Sequence, residues 1–273
     1  MTELVTVVGC VHGMSPAEFV DRMNRLGDRL GVSWRGLVID NAARSSVLPD
    51  LDDAHRWTLR NGGNTDLDFG AYFSGGEWFV QGDAPACLFV NDSLFRLHAA
   101  AENLRALLRL WPLLSQVHAP ALLGKADPYS TMCLASPWSG LGVYVSSYGF
   151  ALNRAAAPIL ASLAAHADAD GLALDRAISD PAWGRGLTVA FREFLRANLI
   201  YPGSPYRWRG FSRHVVDEAM LRHKARCIYF EHRLSGEIAR EGCLLPSNAG
   251  AFWQTRLFIA ERLVGLLNVI RGS

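Results

Sequence analysis

Three short apolar runs, each closing on polar residues or glycine, constrain this chain more than any other feature. Residues 4–8 (LVTVV), 36–39 (GLVI) and 86–90 (ACLFV) read as strands buried on both faces. The first ends at Gly9, the second at Asp40-Asn41 and the third at Asn91-Asp92-Ser93. Between the first two, Ser15 caps a helix that Pro16 opens. Phe19, Met23, Leu26 and Leu30 then recur at helical spacing until Gly31 stops it. Strands and helices alternating in this way predict an α/β fold with a Rossmann-like open mixed sheet flanked by helices. Polar residues gather just past the C-terminal ends of the strands, where such sheets bind ligands.

Beyond residue 96 the pattern becomes more helical. Leu104, Leu107, Leu108 and Trp111 share one face of a helix over 97–114, and residues 141–152 read as a strand or strand pair. Further helices are expected at 155–167, 186–199, 213–225 and 253–270, with an aromatic- and arginine-rich loop at 201–213 (YPGSPYRWRGFSR). The expected division is an α/β nucleotide-binding half over 1–96 and a more helical half over 97–273. The two halves share one core as a single domain.

The chain has 273 residues, of which 50% are hydrophobic and 19% charged, with a formal net charge of +1. That composition belongs to a folded globular protein and offers no basic footprint for nucleic acid. Lysine occurs only at Lys125 and Lys224. The five cysteines are odd in number and widely spaced, which suits a reducing compartment rather than a disulfide framework. No basic leader precedes the first strand, and no uncharged apolar run reaches the ~18 residues of a membrane span, so the chain reads as soluble and cytoplasmic. The final helix carries Phe258, Leu263, Leu266, Leu267 and Ile270 beside Arg256, Arg262 and Arg271. It is suited to a peripheral membrane contact, to core packing or to a homodimer contact.

Several strand-end residues are candidates for chemistry, each with a bland counterpart. Asp40 can accept two hydrogen bonds from a ribose or a base edge, or it can make a turn with Asn41. Asp92, beside Asn91 and Ser93, can hold a cation on a diphosphate, or it can cap a helix. Arg60-Asn61-Gly62-Gly63-Asn64 can let backbone approach a ligand, or it can be a plain turn. The two D-x-D triplets, Asp50/Asp52 and Asp66/Asp68, follow no apolar strand and read as loop or cap residues, while Asp168-Ala169-Asp170-Gly171 reads as a helix end. His214, His223 and His232 recur every nine residues, which puts neighbours on opposite helix faces and prevents convergence on a metal. His12 follows the first strand. No G-x-S-x-G, P-loop or G-x-G-x-x-G is present.

Four segments together resemble the rhamnan synthesis protein F family of bacterial GT-A type glycosyltransferases. They are GLVIDNA (36–42), RNGGNTDLDFGAY (60–72), CLFVNDSLF (87–95) and YVSSYGFALNR (144–154), and the match covers roughly residues 4–160. The resemblance implies a GT-A-like fold, a nucleotide-sugar donor on the 1–96 half and a glycan or lipid-linked glycan acceptor on the 97–273 half, in surface polysaccharide synthesis. Asp40 and Asn41 would contact the nucleotide; Arg60, Asn61 and Asn64 would line the donor. Asn91, Asp92 and Ser93 would stand where the family carries its metal-binding D-x-D, with Asp92 the ligand to Mg2+ or Mn2+. Because only one carboxylate stands there, arginines such as Arg60, Arg207 and Arg209 are expected to compensate the diphosphate. Ser147, Tyr148, Tyr206, Arg207 and Trp208 are assigned to the acceptor, and Asp180, then Glu193, to the general base. Two other readings stay open: a Rossmann-type adenosine-cofactor enzyme (methyltransferase or oxidoreductase), and a non-catalytic glycosyltransferase-like binding subunit.

Overall fold

The structure, a computed structural model, describes residues 3–42, 56–129, 133–200 and 217–248. Their strands form a seven-stranded open mixed sheet in the order β3-β2-β1-β4-β6-β5-β7. The strands are β1 (Glu3–Val11), β2 (Val32–Asp40), β3 (Arg56–Asn61), β4 (Ala86–Asn91), β5 (Ala121–Pro128), β6 (Val143–Asn153) and β7 (Cys243–Pro246). β3, β2, β1 and β4 run parallel, β6 lies antiparallel to both β4 and β5, and β7 is parallel to β5. The α/β class and the mixed sheet expected from the sequence are both present.

The helices are α1 (Pro16–Leu30), α2 (Asp68–Gln81), α3 (Ser93–Leu97), α4 (Ala100–Gln116), α5 (Ala157–Ala169), α6 (Val189–Leu199) and α7 (Glu218–Glu241). They cover both faces of the sheet. Val5, Val7 and Val11 of β1 pack with Phe19 and Met23 of α1 and Leu104 and Trp111 of α4. The alternate residues Val8 and Cys10 join Phe69 and Tyr72 of α2, Leu160 of α5, Phe191 of α6 and Phe230 of α7. The pleat thus splits one strand between two cores, and the near-continuous apolar runs follow from that.

Local signals hold where they were strongest. Ser15 accepts the Glu18 N–H, and Gly31 ends α1 at φ 71°, a left-handed conformation that suits glycine. At Gly9 a Cβ would lie 2.4 Å from the Phe19 ring, so glycine is what lets α1 seat on β1.

Several elements differ from expectation. The helix read over 97–114 is α4, which starts at Ala100 and ends at Gln116, while Leu97 closes the short α3 before it. Of the strand or strand pair expected over 141–152, the single strand is what forms, β6, over Val143–Asn153. The helix expected at 213–225 runs over Glu218–Glu241 in the described residues, because its apolar face continues through Tyr229, Phe230, Leu234 and Ile238. β3, β5 and β7 were not anticipated. Among the described residues no helix is long and apolar enough to cross a membrane. The expected 253–270 helix and the 201–213 loop lie outside the described residues.

Candidate functional site

The C-terminal ends of β2, β1 and β4 meet at one edge, where the connection from β1 leads to β2 on one side and that from β4 leads toward β5 on the other. Val11 pairs with Asp40, Cys10 with Asn91, and Asp40 with Asn61. Backbone bonds carry the ladder past the strands: Asn41 N–H to Val11 O at 2.9 Å, Gly62 N–H to Asp40 O at 2.9 Å, and Asp92 N–H to Cys10 O at 3.0 Å. The polar strand ends are therefore held on a rigid frame.

Asp40 is fully buried and its Oδ1 accepts the Ala42 N–H at 2.9 Å, the local turn its sequence allows. Asn41 donates through Nδ2 to Leu67 O at 2.8 Å and to Cys10 Sγ at 3.3 Å. Asn91 donates to Asp68 Oδ2 at 2.8 Å and accepts through Oδ1 from the N–H and hydroxyl of Ser93. Arg60 is exposed and reaches Ser74 Oγ at 3.1 Å, and Asn61 is exposed at the end of the edge strand β3. Asn64 has φ 50°, and Asp66 and Leu67 also have positive φ. Three non-glycine residues so close together in that region mark a strained turn held by its surroundings.

Asp92 has a definite structural task. Its Oδ2 accepts the backbone N–H groups of His12, Gly13 and Met14 at 3.2, 2.6 and 2.9 Å. The carboxylate so fastens the β1–α1 turn to the end of β4. Among the described residues no group of three or more His, Cys, Asp or Glu side chains is arranged to hold a metal ion. With Oδ2 committed to three donors, the residues present do not fit a resident Mg2+ or Mn2+, and no step is derived through one.

Asp68 corrects the expectation that its triplet is remote from the strand ends. As the first residue of α2 it takes the Asn91 amide on Oδ2 and the Cys10 thiol on Oδ1 at 3.5 Å. A helix N-terminus, not an apolar strand, delivers this carboxylate, and the positive end of the helix favours its charge. Burial, then the Asp68 charge, pushes the Cys10 thiol well above its usual pKa, so the thiol stays protonated and donates. Asp66 is held elsewhere: Arg226 Nε reaches its Oδ1 at 2.8 Å, and its own N–H donates to His223 Nδ1 at 3.2 Å. Arg226 also binds Asp168 and Leu172 O, which ties the strained turn to the end of α5.

A wide bulge in β6 forms the other wall. Ala126 pairs with Val145 while Gly124 pairs with Phe150, so residues 146–149 leave the β5 ladder and 146–148 bow out beside the end of β4, where Gly149 still pairs with Val90. Three elements pin it. Glu231 Oε1 on α7 accepts the Ser147 N–H at 2.6 Å, the Tyr72 hydroxyl donates to Ser147 O at 2.9 Å, and Asp127 takes the Ser146 hydroxyl. Burial pushes the Glu231 carboxyl above its usual range, opposed by the Ser147 N–H and by Lys224. Lys125 pairs with Asp127 at 2.9 Å. The Tyr148 ring is stacked by His98 at 3.6 Å and its hydroxyl donates to Asn103 Oδ1 at 3.3 Å, so this side chain is engaged within the fold.

Asp180 and Glu193 come together away from the bulge, around one guanidinium. Arg196 pairs with Glu193 at 2.9 Å and donates to the carbonyls of Ile178 and Asp180, while Asp180 Oδ1 accepts the Ala182 N–H at 2.7 Å. His223 and His232 of α7 serve different surroundings, as their spacing requires. Tyr206, Arg207, Trp208, Arg209, Asp50, Asp52 and His214 lie outside the described residues.

Two clefts, of about 310 and 360 Å3, run along the C-terminal half of α2, one against Thr6 and Arg35 and the other against α5. Neither contains the strand-end polar groups, and converging donors and acceptors outweigh concavity as a sign of a site here. Sequence reasoning passed over Asp68, Glu231 and Asp127. The signal available for Glu231 was a lone acid within an apolar helical stretch. No protein-family model matches this chain, and no curated protein is significantly similar to it.

Proposed function

We propose that the chain is a glycosyltransferase of GT-A type, moving a sugar from a nucleotide-sugar donor to a glycan or lipid-linked glycan in bacterial surface polysaccharide synthesis. One observation carries this reading. Asp40, Asn61 and Asn91-Asp92 stand at the ends of three parallel strands, β2, β3 and β4, which lie at one edge on either side of β1. That is the switch point at which open α/β sheets take nucleotides. The four segments that resemble the rhamnan synthesis protein F family supply three of these strand ends and the β6 bulge beside them.

In this reading the Asp40-Asn41 turn meets the nucleoside through its backbone, the two side chains holding that turn, and Arg60, Asn61 and Asn64 border the donor. Asn91 and Ser93 present neutral polar groups to the sugar, and Asp92 acts through the turn it holds. Lys125 and Lys224, together with exposed arginines, offset the diphosphate charge. Displacement at the anomeric carbon then releases the nucleoside diphosphate.

The test is ligand-induced thermal stabilisation with uridine, thymidine, guanosine and cytidine diphosphate sugars, NAD and S-adenosylmethionine, each with Mg2+, Mn2+ or chelator. A donor at 100 times its Kd adds about 2.7 kcal/mol, a rise of roughly 5 °C in Tm for a chain of this size. Stabilisation by one nucleotide-sugar class, equal with and without chelator, is expected. Stabilisation by NAD or S-adenosylmethionine alone would overturn the proposal in favour of an adenosine-cofactor enzyme.

A further inference from the structure

Glu231 is the one carboxylate that α7 delivers to the β6 bulge, and its two oxygens have different surroundings. Oε1 is committed to the Ser147 N–H at 2.6 Å. Oε2 is not among the buried side-chain atoms left without a partner, and the Ser147 that Oε1 holds lies in the bulge two residues before Gly149, which pairs with Val90 near the end of β4, so the carboxylate stands beside the strand-end edge. By contrast, Asp92 holds three amides, Asp68 holds Asn91 and Cys10, and Asp127 holds Ser146 and Lys125. Asp180 and Glu193 gather at Arg196.

On the glycosyltransferase reading, which this inference deepens, the geometry points to Glu231 as the general base that activates the acceptor. Oε2 takes the proton of the acceptor hydroxyl as its oxygen forms a bond to the anomeric carbon. The bond from that carbon to the phosphate oxygen breaks, and its electron pair leaves with the nucleoside diphosphate. Glu231 then returns the proton to solvent. A single displacement of this kind inverts the anomeric configuration. The bulge positions the base: Ser147 is gripped from both sides, by Glu231 at its N–H and by Tyr72 at its carbonyl.

The groups that act on Glu231 are set by the same packing. Ser147 of β6 and Lys224 of α7 favour its charged form, while burial and Asp127 of β5 oppose it. The hydroxyls of Tyr72, Tyr129, Tyr144 and Tyr148 each feel the Glu231 charge. A carboxyl held above its usual range by burial suits a base that must accept a proton near neutral pH.

The experiment compares wild type with Glu231→Gln and Glu231→Asp. Donor binding is read by thermal stabilisation with the four nucleoside diphosphate sugars. Transfer to water, the simplest hydroxyl acceptor, is read as nucleoside diphosphate release across pH 5–9. Gln keeps an oxygen for the Ser147 N–H but cannot take a proton, so a role limited to holding the bulge survives this change. The expected result is unchanged melting and donor binding in Glu231→Gln, at least about a 100-fold loss in kcat, and loss of the acidic limb of the pH profile. Glu231→Asp is expected to recover part of the rate. If wild type binds a donor but Glu231→Gln turns it over equally fast, the assignment of Glu231 is overturned while the transferase reading stands. The same holds if wild type binds a donor without releasing nucleoside diphosphate at any pH. If wild type binds no donor, the transferase reading fails, and this inference with it.

Discussion

Asp92 shows how far a residue's position and its task can diverge. Its place at the end of β4 was legible, because a five-residue apolar run terminated by polar residues has few other readings. Its partners, the amides of residues 12–14, lie almost eighty positions earlier and leave no mark in local sequence. Removing this carboxylate strands three N–H groups, so Asp92→Ala is expected to cost about 3 kcal/mol in urea denaturation, and Asp92→Asn about half that. An unchanged urea midpoint in Asp92→Ala would show that the clamp carries no stability. His232 is a second residue whose surroundings only folding reveals. It is packed among Tyr129, Tyr144, Phe191 and Phe194, and burial pushes its pKa from 6.5 down to about 3. Above pH 6.5 both the folded and unfolded states hold it neutral. As pH falls from 6.5 toward 3, only the unfolded state takes the proton, and stability drops by about 1.4 kcal/mol per pH unit. Between pH 7.5 and 5 the wild type is therefore expected to lose about 2 kcal/mol more than His232→Phe in denaturation at the two pH values. Parallel losses would contradict this burial.

At the scale of elements, legibility followed burial. β1, α1, β2 and β4 are central or strongly periodic, so their apolar patterns are nearly unbroken. β3 is an edge strand whose RWTLRN alternates polar with apolar residues, and such an edge is hard to separate from a loop. β5 is interrupted by Gly124-Lys125, where the β6 bulge faces it, and β7 has only four residues. The turn before α2 was read as a loop, and so it is, but its anchoring belongs to α7. Arg226 and Asp66 are both almost fully buried and paired at 2.8 Å. Arg226→Ala would leave the Asp66 carboxylate buried without its cation, with an expected loss of about 3–5 kcal/mol. Restoration of stability by the double variant Arg226→Ala, Asp66→Asn would confirm that the unpaired charge is the cause. Equal instability in both variants would instead point to lost packing against Phe230.

For the molecule as a whole, the chain order of residue types carried the α/β class, the buried central strands and the polar strand ends, since each depends on periodicities of two or 3.6 residues within short windows. Folding alone decided which polar groups converge. Asp68 arrives by a helix N-terminus, Glu231 by a helix more than 130 residues after β4, and the antiparallel β6 turns its bulge toward both. The two lysines offered no local clue, yet one ion-pairs with Asp127 and the charge of the other acts on Glu231, both beside that bulge. Hydrogen bonds and Coulomb forces act over a few ångströms of space, whatever the separation along the chain. Their partners are therefore fixed by strand order, register and helix packing, and local pattern cannot encode them.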